Sequence, residues 1–112
     1  MSTVIAERAL EFYGNDGVEA GAIRVYAPEF DGRFPTWRCR IEIAWPGYEH
    51  GRVWFGDDTW DVVFAGSAAA LSVMAKTPDF IAGRIGVFGE RLTSVEKLYK
   101  AFGVAPVEGS LQ

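Results

Sequence analysis

One cysteine, Cys39, and one histidine, His50, are all that the 112 residues hold of those two types. A single cysteine excludes an internal disulfide and suits a reducing compartment. A single histidine leaves any acid–base chemistry resting on one imidazole. Positive charge is also scarce: 11 Lys and Arg stand against 15 Asp and Glu, a formal charge of −4. The basic residues form no run, which argues against nucleic acid or an anionic membrane as partner, since both need concentrated Lys and Arg. No apolar run is long enough to span a bilayer. The longest uncharged stretch, residues 62–75, falls short of the roughly 20 required. Glu7, Arg8 and Glu11 interrupt the first apolar pattern, so no signal-peptide core is expected there. The expected compartment is the cytoplasm.

What is present is the composition of one ordinary globular domain, with 49% apolar and 23% charged residues. Residues 3–13 alternate loosely in β-branched and aromatic residues and predict a first strand, closed by the turn cluster Gly14-Asn15-Asp16-Gly17. Residues 20–27 predict a second strand, and residues 28–35 a loop turning at Asp31-Gly32. The clearest strand is residues 36–44, where Trp37, Cys39, Ile41 and Ile43 alternate with Arg38, Arg40 and Glu42. A turn over residues 46–51 and a short fourth strand over residues 52–55 follow. Asp57 or Asp58 caps a first helix, whose core stripe reads Trp60, Val63, Phe64, Ser67, Leu71 and Met74. Its opposite side (Gly66, Ala69, Ala70, Val73) is apolar too, which predicts cover on more than one side. Residues 79–92, with glycine at 83, 86 and 89, read as a loop or as a short strand packing back on the sheet. Thr93 and Glu96 form a capping box for a second helix bearing Val95, Leu98, Tyr99 and Phe102, with Gly103 closing it and a flexible tail at 106–112.

Short connections make antiparallel neighbours. The predicted fold is α+β: a four-stranded antiparallel sheet, five with the 79–92 strand, carrying two helices on one face in the order ββββαα.

Chemistry is thinly signalled. Glu49-His50 could work as acid and base, against the simpler alternative of a solvated loop histidine. Ser67 lies mid-helix, without the strained turn that exposes a serine nucleophile. Cys39 falls on the apolar side of its strand, as a core thiol does. Glu49, His50, Asp57, Asp58 and Asp61 could gather round a cation, but helix capping accounts for the aspartates and the spacing fits no known loop. No cofactor, metal or catalytic set is expected. Arg38 and Arg40 read either as a partner site or as ion pairs on a wet sheet face. The strongest functional signal is aromatic: Trp45, Tyr48 and Trp54, with Glu49 and His50, at the turn between strands three and four. Such residues are enriched in protein contacts. The expectation is a small non-catalytic interaction or accessory (immunity-like) protein that uses this exposed surface on a protein partner or as a homodimer. The alternative is a small-molecule binder, with a pocket between sheet and first helix lined by Trp37, Trp54 and Trp60.

Trp37-x-Cys39-x-Ile41-x-Ile43, followed by Gly56-x-Asp58 at a helix start, resembles a set of small uncharacterised bacterial domains of unknown function. Their pattern is W-x-C-x-[IV] on a strand, then G-x-D leading into an alanine- and leucine-rich helix. The resemblance covers residues 36–75, implies an α+β fold, and brings no catalytic residue with it.

Overall fold

A computed structural model describes residues 3–32 and 36–104. The chain runs β1 (Val4–Gly14), β2 (Gly17–Tyr26), β3 (Glu29–Phe30), β4 (Trp37–Trp45), β5 (Tyr48–Gly56), α1 (Thr59–Ala75), α2 (Pro78–Ile81), β6 (Ile85–Val87), β7 (Glu90–Arg91) and α3 (Val95–Phe102). The α+β class and the antiparallel sheet agree with the sequence, but among the described residues the sheet has seven strands and the helices number three. Every strand pair is antiparallel.

The sheet runs β7-β6-β1-β2-β4-β5 across its width. β3 lies beside β4 on the edge that β2 also uses, with Glu29 opposite Arg38 and Phe30 opposite Trp37. Two residues are too few to show a period, and Pro28 hides them, so this strand was illegible. Residues 79–92 include β6, which packs back onto β1 through Glu11–Gly86 and Phe12–Ile85, and β7, its hairpin partner. Thr77 caps the single turn of α2 by accepting from the Phe80 N–H at 3.2 Å.

The fourth strand is longer than expected. The turn is Pro46-Gly47 alone, with Gly47 at φ +86°, as a Pro-Gly type II turn requires. Trp45 therefore faces Tyr48 directly, and the pairing continues without a bulge to Trp37–Gly56. Side chains alternate along a strand. Tyr48, His50, Arg52 and Trp54 thus share the face of Trp45, Ile43, Ile41 and Cys39, while Glu49, Val53 and Phe55 go to the other.

The three helices sit on one face. Asp58 accepts from the Asp61 N–H at 2.7 Å and caps α1. α1 then lies across β4 and β5, with Val62, Gly66, Ala70, Leu71 and Met74 buried. The expected stripe is rotated: Trp60 is 70% exposed and Phe64 48%. The reason is Gly66. A Cβ there would stand 3.1 Å from Trp54 Cβ and 3.2 Å from Ile41 Cδ1, so the helix approaches the sheet along its smallest residues. Burial of Gly66 and Ala70 together with Leu71 and Met74 fits the predicted cover on more than one side.

α3 packs beside α1, where the Tyr99 hydroxyl donates to the Ala68 carbonyl at 3.3 Å. Its N-cap is Ser94, accepting from the Lys97 N–H at 3.1 Å, one residue later than the predicted capping box. Gly103 closes it at φ +64°. The predicted tail, 106–112, lies outside the described residues. The core comprises Leu10, Ile23, Cys39, Ile41, Ile43, Leu71, Met74, Ile85 and Leu98 between sheet and helices. Among the described residues no helix is long and apolar enough to cross a membrane.

Candidate functional site

The five residues singled out in the sequence do not form an exposed aromatic surface. Trp45 is 4% exposed; its ring stacks on Tyr48 at 4.4 Å and its indole N–H donates to Asp79 Oδ2 at 2.8 Å. This ties the end of β4 to α2. Tyr48 is half-buried, and burial pushes its phenol pKa up. His50 lies parallel to Tyr48 at 6.4 Å between centroids, half-buried on the helix side. Trp54 is half-buried on the same side, beneath Gly66 and beside the Arg52 guanidinium, 4.9 Å from its ring centroid. Only Glu49 is exposed. The correction has one cause: the two-residue turn fixes a register that puts the even positions of β5 on the helix side of the sheet.

That register also separates the proposed acid–base pair, since Glu49 and His50 are consecutive on a strand and point to opposite faces. The remaining chemical candidates have structural partners. Asp61 Oδ2 accepts from the Asp57 N–H at 3.1 Å, and Asp58 is the cap. Among the described residues no group of three or more His, Cys, Asp or Glu side chains could hold a metal ion. The Ser67 hydroxyl donates to the Val63 carbonyl one turn earlier at 2.6 Å. Cys39 is buried, its thiol directed to the Tyr26 carbonyl at 3.3 Å, and burial pushes its pKa up, away from a reactive thiolate. Trp37, Trp54 and Trp60 do not enclose a pocket, because Trp54 is packed against α1 and Trp60 turns to solvent.

Two of the concave surfaces bear on the candidate residues. On the helix side, Ala6, Arg8, Ile23, Val25, Ser67 and Phe102 line a groove of about 190 Å³ between α1 and the end of α3. On the helix-free face, Tyr26, Glu29, Arg38, Arg40, Val53 and Phe55 surround a hollow of about 320 Å³. Phe55 is 62% exposed there and Val53 40%. The arginines of this face are paired with carboxylates. Arg24 meets Glu7, Arg38 lies 3.3 Å from Glu29 and 3.9 Å from Asp31, and Arg40 lies 3.0 Å from Glu42. Exposed pairs of this kind stabilise by only ~0–1 kcal/mol each. Tyr26 donates its hydroxyl to Glu42, and that hydrogen bond, with help from Arg40 and Arg24, holds the Glu42 carboxyl below its ordinary pKa. Glu11, which is not on these arginines, accepts from the Gly89 N–H at 3.0 Å.

Val53 and Phe55 were missed. Both sequence and period two were visible, but nothing in the sequence says whether Val53 and Phe55 or Trp54 face the core until the turn length is known.

No curated protein and no solved structure matches the chain. Residues 6–89 match the model of a family described as "Domain of unknown function (DUF6968)". That span is three quarters of the chain and takes in β1 through the β6–β7 turn, leaving out α3. The expected kinship with an uncharacterised domain is therefore met, over a longer stretch than residues 36–75, and the chain belongs to the DUF6968 family of domains of unknown function.

Proposed function

We propose that the domain is a non-catalytic protein-interaction or accessory module, and that its contact surface is the helix-free face of the sheet around Tyr26, Arg38, Arg40, Val53 and Phe55. The observation that carries the reading is Phe55, a large aromatic 62% exposed at the rim of the 320 Å³ hollow. Apolar centres rimmed by arginine and tyrosine are what protein interfaces use. A protein partner fits better than nucleic acid, because each arginine here already has a carboxylate beside it. The surroundings we propose are the cytoplasm of a bacterial cell, where a lone buried thiol stays reduced. The small-molecule alternative is weaker: its pocket was to be lined by Trp37, Trp54 and Trp60, but Trp54 packs against Gly66 of α1 and Trp60 is 70% exposed.

The test is affinity capture from the native host with wild type, Phe55→Ala, Arg38→Ala and, as control, Trp60→Ala. The reading expects one partner lost with Phe55→Ala and Arg38→Ala but kept with Trp60→Ala. A set of captured proteins that no face variant changes refutes it.

A further inference from the structure

We propose that a second copy of this chain pairs with the free edge of β5, in antiparallel register about Val53, to make one continuous sheet. The inference goes beyond the face just described, since it concerns the edge of the sheet.

β5 is the terminal strand of its side, and among the described residues its only strand partner is β4. It is nine residues long, contains no proline, and pairs with β4 without a bulge. These are the properties natural proteins remove from edges that stay unpaired. The pair that closes a two-residue hairpin is hydrogen-bonded, and bonded pairs alternate along an antiparallel ladder. Trp45–Tyr48 closes this one, so Glu49, Gly51, Val53 and Phe55 direct their backbone N–H and C=O outward.

A two-fold axis must bring outward groups opposite outward groups, which allows an axis at Gly51, Arg52 or Val53. An axis at Arg52 sets like charges face to face, which destabilises a sheet. An axis at Gly51 leaves two glycines opposed, with nothing to pack. The axis at Val53 places Val53 against its own copy, Phe55 beside the second copy's Gly51, and Arg52 beside the second copy's Trp54. Each match is favourable. The Arg40 guanidinium already fills the space over Gly51, so the arriving Phe55 ring meets a cation there. Arg52 already lies over the Trp54 ring of its own chain and can be shared with the second. Three bonded pairs form, about six backbone hydrogen bonds in all.

The helix layer permits the approach. α3 lies on the β1 side of α1, held by Tyr99 to Ala68 and by Arg8 to Ala101 at 2.6 Å. Ser67 and Leu71 of α1 line the helix-side groove with Phe102 of α3, and helical spacing sets Ala65, Ala69 and Ser72 on the other flank, small enough for two helices to lie side by side at the usual 8–10 Å. At the opposite end β7 is two residues long, and the stretch of β1 that β6 leaves open, Val4 to Leu10, lies where Arg8 is tied to the Ala101 carbonyl of α3. Pairing also brings Val53 and Phe55 of both copies to the middle of one helix-free face.

Sedimentation equilibrium and light scattering from micromolar to millimolar protein test the pairing, on wild type, Val53→Pro and Val53→Lys. The Val53 N–H points outward, so proline there leaves the β4–β5 ladder intact. Val53→Lys covers the case in which proline disturbs folding, because it sets two charges on the axis. The expected result is a wild-type mass of two chains, and loss of the dimer in either folded variant with an unchanged circular-dichroism spectrum. A wild type that stays one chain at millimolar concentration overturns the inference, and so does a dimer that survives Val53→Lys. A monomeric wild type whose partner capture still depends on Phe55 and Arg38 overturns only the pairing and leaves the proposed function standing.

Discussion

Gly66→Ala sets two known effects against each other. In an exposed helix the change stabilises by about 1 kcal/mol, because alanine loses less backbone freedom on folding. At Gly66 the new methyl would lie 3.1 Å from Trp54 Cβ, 3.2 Å from Trp54 Cγ and 3.2 Å from Ile41 Cδ1. All three contacts are tighter than ordinary packing distance, and they come from two adjacent strands. Ile41 is 1% exposed and has nowhere to go. Overpacking of this kind costs about 1–3 kcal/mol. The cost exceeds the gain, leaving a net loss of about 1 kcal/mol. For a domain near this size that lowers the melting temperature by roughly 4–8 °C. Urea unfolding followed by tryptophan fluorescence measures it. Ile41→Val supplies the cycle: alone it costs about 0.5–1.5 kcal/mol, but in the Gly66→Ala background it removes the crowding methyl and costs less. A Gly66→Ala protein more stable than wild type, or a pair of changes that simply add, refutes the account of how α1 is seated.

Trp45→Phe removes the indole that donates to Asp79, leaving a carboxylate without its partner. About 1.5–3 kcal/mol of stability is lost, readable in the same urea titration. Asp58→Ala removes the N-cap of α1 and costs about 1 kcal/mol, while Asp57→Ala, whose side chain caps nothing, changes stability little. Tyr26→Phe removes the hydroxyl that does most to hold the Glu42 carboxyl low, so its pKa rises toward the ordinary carboxylate value, observable by NMR titration. Because the folded pKa of Glu42 is depressed, its contribution is present above the unfolded carboxylate pKa. It fades as pH falls through the lowered value, and in Tyr26→Phe that acid-side loss shrinks.

Much of the fold was legible because period and capping are local properties. β1, β2 and β4 declare themselves by alternation, α1 by Asp58 and α3 by Gly103. β3 and α2 were not legible, since neither two nor four residues carry a reliable period. The 79–92 stretch needed β1 to show which of its residues are strand, as Phe12–Ile85 and Glu11–Gly86 pair across more than 70 positions.

The candidate surface depended on one decision that lies outside any local pattern. Residues on β5 alternate whichever way the strand is set, and the sequence by itself determined only that Trp54 and Phe55 take opposite faces. Tertiary structure decided which one is covered. The Pro46-Gly47 turn makes Trp45 face Tyr48, and α1 closes over that side because Gly66 allows its backbone to reach Trp54. Trp45, Tyr48, His50 and Trp54 therefore became part of the helix-side packing, and Val53 and Phe55 were left at the surface and beside the open edge. Alternation is a property of the chain; the choice of face belongs to the partner that packs against it.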